Sequence, residues 1–301
     1  MAALYLPLLQ ANLHYMRIRL FLALMLLPVF VYAQERFRIT GRIVNEKGEA
    51  VEYVQIGIPK LGIGTFSSVD GHFEINVPAD TLEFHHVSYQ TGYYQVSGPK
   101  EEVVIVLKES ELPPVVITNG EKKEKYLLRA GTRIPGAAGV FSRPDGVIKG
   151  IELGSVAKAK KPFLVKDIQF SIMENTIPGC VAAINIYRIE GEPEQFINIL
   201  RKPIYVNIAL SKERQDFDIQ PEEFILLDPG RYFISFAVVD CDMDAVRRYQ
   251  ATPESERDPK AMRFYMNLYL KSSYERTIAL GELKHYPVNI GISVKGLEFQ
   301  L

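Results

Sequence analysis

The chain has 301 residues, 47% of them hydrophobic, and a formal net charge of −1 at pH 7. That is enough apolar material for one large domain or two modest ones, and the near-neutral balance excludes the broad basic field that gathers nucleic acid. Aromatic surface comes from 16 Phe and 16 Tyr, with no Trp.

The N-terminus reads as a targeting segment. Arg17 and Arg19 precede an apolar run from Leu20 to Phe30, and Val31-Tyr32-Ala33 closes it. A charged start, an apolar middle and small residues at −3 and −1 make the pattern of a secretory signal peptide. Residues 1–33 are therefore expected to be cut away between Ala33 and Gln34, with 1–15 an overlong start and Met16 the working initiator. The competing reading is a membrane anchor, but the run falls short of the roughly 18 residues a spanning helix needs, and Pro28 interrupts it. No Cys lies near the cut, so a lipid-anchored protein is not expected. Losing two arginines from a chain of net charge −1 leaves −3. No later stretch is apolar enough to span a bilayer as a helix. The chain is therefore expected to be exported.

After the cut, strand signals dominate. Phe37, Ile39 and Ile43 fall on one parity, opposed by Arg38 and Arg42, the alternation of a half-buried strand. Gly48 ends an Asn45-Glu46-Lys47 turn. Val54, Ile56 and Ile58 alternate with Gln55 and Gly57. Asp70-Gly71 is a hairpin signal, followed by Phe73, Ile75 and Val77 on one face. Leu82 and Phe84 continue the pattern, and Val103 to Leu107 is a continuous apolar strand. Short, evenly spaced strands over residues 34–108 predict a β-sandwich. Residues 109–145 read as a linker, with Pro113-Pro114, a charged run from Glu121 to Lys125, a Gly/Ala/Pro-rich stretch and one short strand at Val115 to Thr118.

A second domain is expected over 146–301. Ile168, Phe170 and Ile172 share a parity, as do Ala182, Ile184 and Ile186, and Ile204, Val206, Ile208 and Leu210. Asp228-Pro229-Gly230 makes a turn before Tyr232, Ile234, Phe236 and Val238. Phe264, Met266, Leu268 and Leu270 form another strand, and Ile290 and Ile292 the last. Asp242 to Lys260 is polar and holds either a short helix around Met243 to Tyr249 or a long loop. About eight strands in two sheets give a jelly-roll-like sandwich, and the fold class is all-β.

The first domain resembles the carboxypeptidase regulatory-like family. The matching residues are Ile39-Thr40-Gly41-Arg42-Ile43-Val44, Gly48-Glu49-Ala50-Val51 and Val54-Gln55-Ile56, then Gly64-Thr65, Asp70-Gly71, Phe73-Glu74-Ile75, and Leu82-Glu83-Phe84 through Val87-Ser88-Tyr89. Asn45 and Ala50 depart from the family's usual Asp and Pro. The resemblance implies a transthyretin-like, seven-stranded sandwich, and its motifs are structural: glycines at tight turns, alternating apolar residues in the core. In outer-membrane receptors this module stands before a plug and barrel, and Leu112 to Thr118 looks like the joining segment. A 22-stranded barrel at about 10 residues per strand needs over 220 residues, and 181 follow Gly120. The second domain more weakly resembles β-sandwich domains found behind this module in envelope proteins, through Asp167 to Arg188, Pro203-Ile204-Tyr205-Val206 and Gly230-Arg231-Tyr232-Phe233.

Motifs for chemistry are sparse. No H-x-x-E or H-E-x-x-H occurs for zinc, and His85 and His86, adjacent on a strand, face opposite sides. Asp240, Asp242 and Asp244 have the spacing of a calcium loop's start, but Ala245 and Ala251 stand where its Gly and Glu belong; a solvated acidic turn is the default. There is no G-x-S-x-G elbow, P-loop or dinucleotide fingerprint. No cofactor or metal is expected, and no enzyme. Cys180 and Cys241 sit near strand ends, and two readings stand: one disulfide in an oxidising compartment, or two separate buried thiols. The candidate binding face is Tyr265, Asn267 and Tyr269, opposite the apolar side of its strand, joined by Tyr187 and Tyr205 if their strands are neighbours. Tyr and Asn in a row can stack on sugars and bond their hydroxyls; ordinary sheet-stabilising tyrosines are the alternative, and the lack of Trp favours that alternative. The expected function is a non-enzymatic exported binding or interaction module, for carbohydrate or an outer-membrane receptor, with a polysaccharide or envelope protein as partner. The alternatives are a glycan hydrolase without a recognisable motif and a structural subunit of an outer-membrane complex.

Overall fold

The computed structural model describes residues 35–110, 121–140, 142–143, 146–147, 149, 151–192, 194–277 and 283–300. The expected signal peptide and the strand at Val115 to Thr118 lie outside them. Residues 36–301 form a single unit.

Seven strands form the first sandwich: β1 (Phe37–Asn45), β2 (Gln55–Ile58), β3 (Ile63–Phe66), β4 (His72–Val77), β5 (Thr81–His86), β6 (Tyr89–Gln95) and β7 (Lys100–Leu107). They make two sheets, β4–β1–β7 and β3–β2–β5–β6. β1 runs antiparallel to β4 and parallel to β7. Ile39, Ile43, Ile56, Phe73, Ile75, Val77, Leu82, Phe84, Ile105 and Leu107 close on one core, each large side chain contributing about 1.5–3 kcal/mol by leaving water. The alternation in β4 is clean, with Phe73, Ile75 and Val77 in and His72, Glu74 and Asn76 out. β7 is inward on one parity only, since Val104 and Val106 are exposed.

The Asp70-Gly71 signal marks a turn but not a hairpin. β3 pairs with β2 and β4 with β1, so the turn passes the chain between sheets. Gly71 sits at φ +79, and a Cβ there would lie 2.4 Å from the Ile43 carbonyl oxygen. Only glycine fits both constraints.

The second sandwich takes β8 (Glu121–Leu128), β9 (Thr132–Val140), the short ribbon β10 (Ser142–Arg143) with β11 (Gly146–Val147), β12 (Ile151–Ala159), β13 (Phe163–Asn175), β14 (Cys180–Glu190), β15 (Gln195–Asn198), β16 (Ile204–Ile208), β17 (Gln215–Ile219), β18 (Ile225–Leu227), β19 (Gly230–Asp240), helix α1 (Met243–Ala251), β20 (Phe264–Leu270), β21 (Ser273–Thr277), β22 (Lys284–Tyr286) and β23 (Ser293–Gln300). Two seven-stranded sheets result. In one, β8–β23–β13–β20–β9 run side by side and β17 and β18 also pair with β13; in the other the order is β15–β14–β19–β12–β21–β22, with β16 on β14. Their inner faces share a core that includes Ile168, Phe170, Ile184, Ile186, Ile234, Phe236, Phe264 and Met266.

Three expectations are corrected. The linker over 109–145 is strand over 121–140: the charged run becomes β8, an edge strand on β23 held by Lys125–Glu298 and Lys295–Glu124 ion pairs. Charged residues suit an edge, where one row of backbone groups faces water. The strand count exceeds eight because β8 and β9 fall in the stretch read as linker, and β15, β17, β18, β21 and β22 are too short to show a period. Ile290 and Ile292 are buried but precede β23. Of the two readings for residues 243–249, the helix holds. Its N-cap is Asp242, whose carboxylate accepts from Ala245 N at 2.8 Å, satisfying an otherwise orphaned N–H.

Candidate functional site

The sheet containing β14, β19 and β12 is buried on both faces. Ala182, Ile184, Ile186, Ile234 and Phe236 point into the core, yet Ala183, Tyr187, Phe233, Ser235, Ala237 and Val239 on the opposite parity are buried as well. Part of this outer face is covered by the first sandwich: Phe66 and Tyr53 pack on Ala183, Ala237 and Val239, with Val181 and Tyr205 beside them. Tyr53 meets the Tyr205 ring edge-on at 4.7 Å, the Tyr205 hydroxyl lies 3.4 Å from His86 Nε2, and Ser88 Oγ donates to the Arg201 carbonyl. Burial pushes the Tyr53 hydroxyl up to about 12 and drives Tyr205 up as well; it lowers His86 to about 4.

Beyond this contact the two sheets part and leave a cleft of about 450 Å³. One wall is the outer face of β2, β5 and β6, with Gln55, His85 and Thr91; the other is Asn185, Tyr187, Phe196, Asn198 and Tyr205. Tyr53, Phe66, Tyr89, Tyr187, Phe196 and Tyr205 supply six rings, and no Asp, Glu, Lys or Arg lines the cleft among the described residues. His85 and His86 both reach it, although adjacent strand residues should oppose each other. The register shift between Phe84 and His86 against β6 brings them to one side.

Beneath the Asn185–Tyr187 wall lies a charged cluster. Glu152 of β12 stands directly across from Arg276 of β21, and both are fully buried. The guanidinium donates to Glu152 Oε2 through Nε at 3.0 Å and through Nη2, while Oε1 accepts from Asn185 Nδ2 and the Tyr187 hydroxyl at 2.8 Å each, and from Ser235 Oγ at 3.3 Å. The guanidinium carbon sits 4.0 Å from the Tyr187 ring centre and 4.5 Å from that of Phe196. Burial, and then the Glu152 charge, push the Tyr187 hydroxyl well up. The cluster therefore fixes the wall it underlies. Arg276 Nη1 in the cluster, and Gln55 Nε2 on the facing wall, are buried without a partner. A buried donor left so costs about 1–3 kcal/mol.

Of the five tyrosine-face residues, the structure brings Tyr187 and Tyr205 together, on the paired strands β14 and β16. Tyr265, Asn267 and Tyr269 lie in the other sheet and do not form a row. Met266 and Asn267 are both fully buried, and the pairing with β9 shifts register between Asn267 and Tyr269, so the assumed alternation breaks. Asn267 Nδ2 donates to Ser171 Oγ. Tyr265 lies under the Arg263 guanidinium, and Tyr269 lines a separate open pocket with Arg214, Asp216, Phe217 and Asp218. Cys180 and Cys241 are free, buried thiols; the bridged reading is not what the structure holds. The acidic trio is divided among separate duties: Asp240 meets Lys149, Asp242 caps α1 and Asp244 pairs with Arg247. Among the described residues no group of three or more metal-ligating side chains occurs.

Sequence reasoning missed Gln55, Asn185, Phe196, Glu152 and Arg276. The available signal was Glu152 between Ile151 and Leu153, an acid inside an apolar strand.

Comparison with known proteins places the first sandwich. Residues 39–117 match the CarboxypepD_reg-like domain model. No curated protein matches the chain. Among solved structures, it is similar to infectious bursal disease virus, Gt strain, at 13% identity and a TM-score of 0.29, covering 90% of this chain and 57% of that one. It is also similar to DUF3823 family proteins from Parabacteroides merdae (10% identity, TM-score 0.19, 84% of this chain and 97% of that) and Bacteroides ovatus (11%, 0.20, 68% and 100%). The chain thus spans little more than half of the viral chain, and likenesses this shallow carry no functional weight.

Proposed function

We propose that this chain, whose residues 39–117 match the CarboxypepD_reg-like domain, is a non-catalytic binding protein of the bacterial envelope that holds a neutral carbohydrate in the cleft between its sandwiches. The observation that carries the reading is the lining: six aromatic rings, two histidines, amides and hydroxyls, with no Asp, Glu, Lys or Arg among the described residues. Apolar rings with a few placed polar groups are what ligand pockets use, and sugars present apolar faces with hydroxyl edges. An anionic ligand would be buried without a cation to offset it. The signal-like N-terminus and the domain family support placement outside the cytoplasm, at the periplasm or outer membrane. Among the described residues no helix is long and apolar enough to cross a membrane.

A glycan array probed with the purified protein tests this reading. Saturable binding to neutral glycans is expected. Binding to acidic glycans alone, or to none, overturns it and moves attention to an envelope protein partner such as an outer-membrane receptor.

A further inference from the structure

We infer that Gln55 of the first sandwich is the ligand-selecting residue of the cleft, donating from Nε2 to an acceptor oxygen of the bound saccharide. The regulatory-like sandwich would then supply half of the site and not serve as a spacer. This deepens the cleft reading above and rests on it.

Gln55 lies at the centre of its sheet's outer face, paired with Phe66 of β3 on one side and His85 of β5 on the other. It is 8% exposed, lines the cleft, and its Nε2 has no partner among the described residues. Several other polar groups around the cleft are engaged. His85 bonds Glu83 through Nε2 and Thr91 through Nδ1. Asn185 donates to Glu152 and accepts from Asn198, and the Tyr187 hydroxyl donates to Glu152. Of the buried side-chain polar atoms left without a partner among the described residues, Gln55 Nε2 is the one that lines the cleft, and such groups call for an explanation. A donor selects an acceptor: a hydroxyl, a ring ether or a carbonyl oxygen, and never an ammonium.

The test compares the full wild-type chain with Gln55→Met and Tyr205→Ala. Each is titrated calorimetrically with the soluble neutral oligosaccharide that gives the strongest array signal, and melted without ligand. Gln55→Met keeps the length of the side chain and removes the donor. It is expected to weaken binding roughly tenfold, the scale of one net hydrogen bond, with a thermal midpoint no lower than wild type. Wild-type affinity in Gln55→Met overturns the inference, and loss of binding in Tyr205→Ala would then leave the cleft reading standing. A clearly lowered midpoint in Gln55→Met makes Gln55 a structural residue and also overturns it. No oligosaccharide binding by the wild type overturns the ligand class and this inference together.

Discussion

Arg276 and Glu152 stand opposite each other on neighbouring antiparallel strands and form a buried ion pair in which two guanidinium nitrogens donate to one carboxylate oxygen. Buried pairs of this kind gain little over an apolar substitute, but removing one partner strands the other charge. Arg276→Met and Glu152→Gln are therefore each expected to cost roughly 3–5 kcal/mol in urea unfolding, the second because an amide NH2 would meet donors where a carboxylate oxygen accepted. The double variant should be less destabilised than the two singles added together. Additive losses would show that the residues are not coupled.

His86 gives the protein an acid-side stability limit. Burial lowers its folded pKa to about 4 from the usual 6.5, so the unfolded chain takes up the proton first. The stability this contributes is complete above about pH 6.5 and drains as pH falls toward 4. Melting curves of wild type and His86→Gln between pH 7 and pH 4.5 should converge on the acid side. Parallel curves would remove His86 as the cause.

Burial also pushes the Cys241 thiol up to about 11, and drives Cys180 up with a further push from Cys241 itself. Few thiolates are present near neutral pH, and thiolate is the reactive form. Thiol titration without reductant should find both cysteines in denaturant and almost none in the native protein at pH 8. No thiols in denaturant would establish a bridge.

Gly291 stands at φ +80 against Tyr269, whose ring carbon would lie 2.1 Å from an added Cβ. Gly291→Ala should destabilise the chain by about 1–3 kcal/mol through strain and displacement of the ring. It should leave ligand affinity unchanged, because Tyr269 is outside the cleft. A parallel loss of affinity would place the second sheet's pocket in the site after all.

The first sandwich is legible because its strands are half-buried: Phe73, Ile75 and Val77 alternate with polar residues, so pattern and core agree. β2 shows where that rule stops. All four of its residues are buried, because its outer face meets the second sandwich, and the polar Gln55 in an otherwise regular strand marks the site. The tyrosine face fails for a related reason. Alternation carried through Asn267 into Tyr269 predicts a row, but an irregular pairing with β9 buries the Asn, and no period in the sequence reports a bulge. Tyr187 and Tyr205 are neighbours only through the pairing of β14 with β16, two strands that β15 separates along the chain. Glu152 and Arg276 lie further apart still, and local pattern cannot join them.

The claim that the ligand lies between the sandwiches is tested most directly by hydrogen exchange with and without a saturating neutral oligosaccharide. Protection is expected at once in β2, in β5 and in the segment from Phe196 to Tyr205, so that both walls respond. Protection confined to β20 around Tyr265 and Tyr269, or to the second sandwich alone, would contradict it.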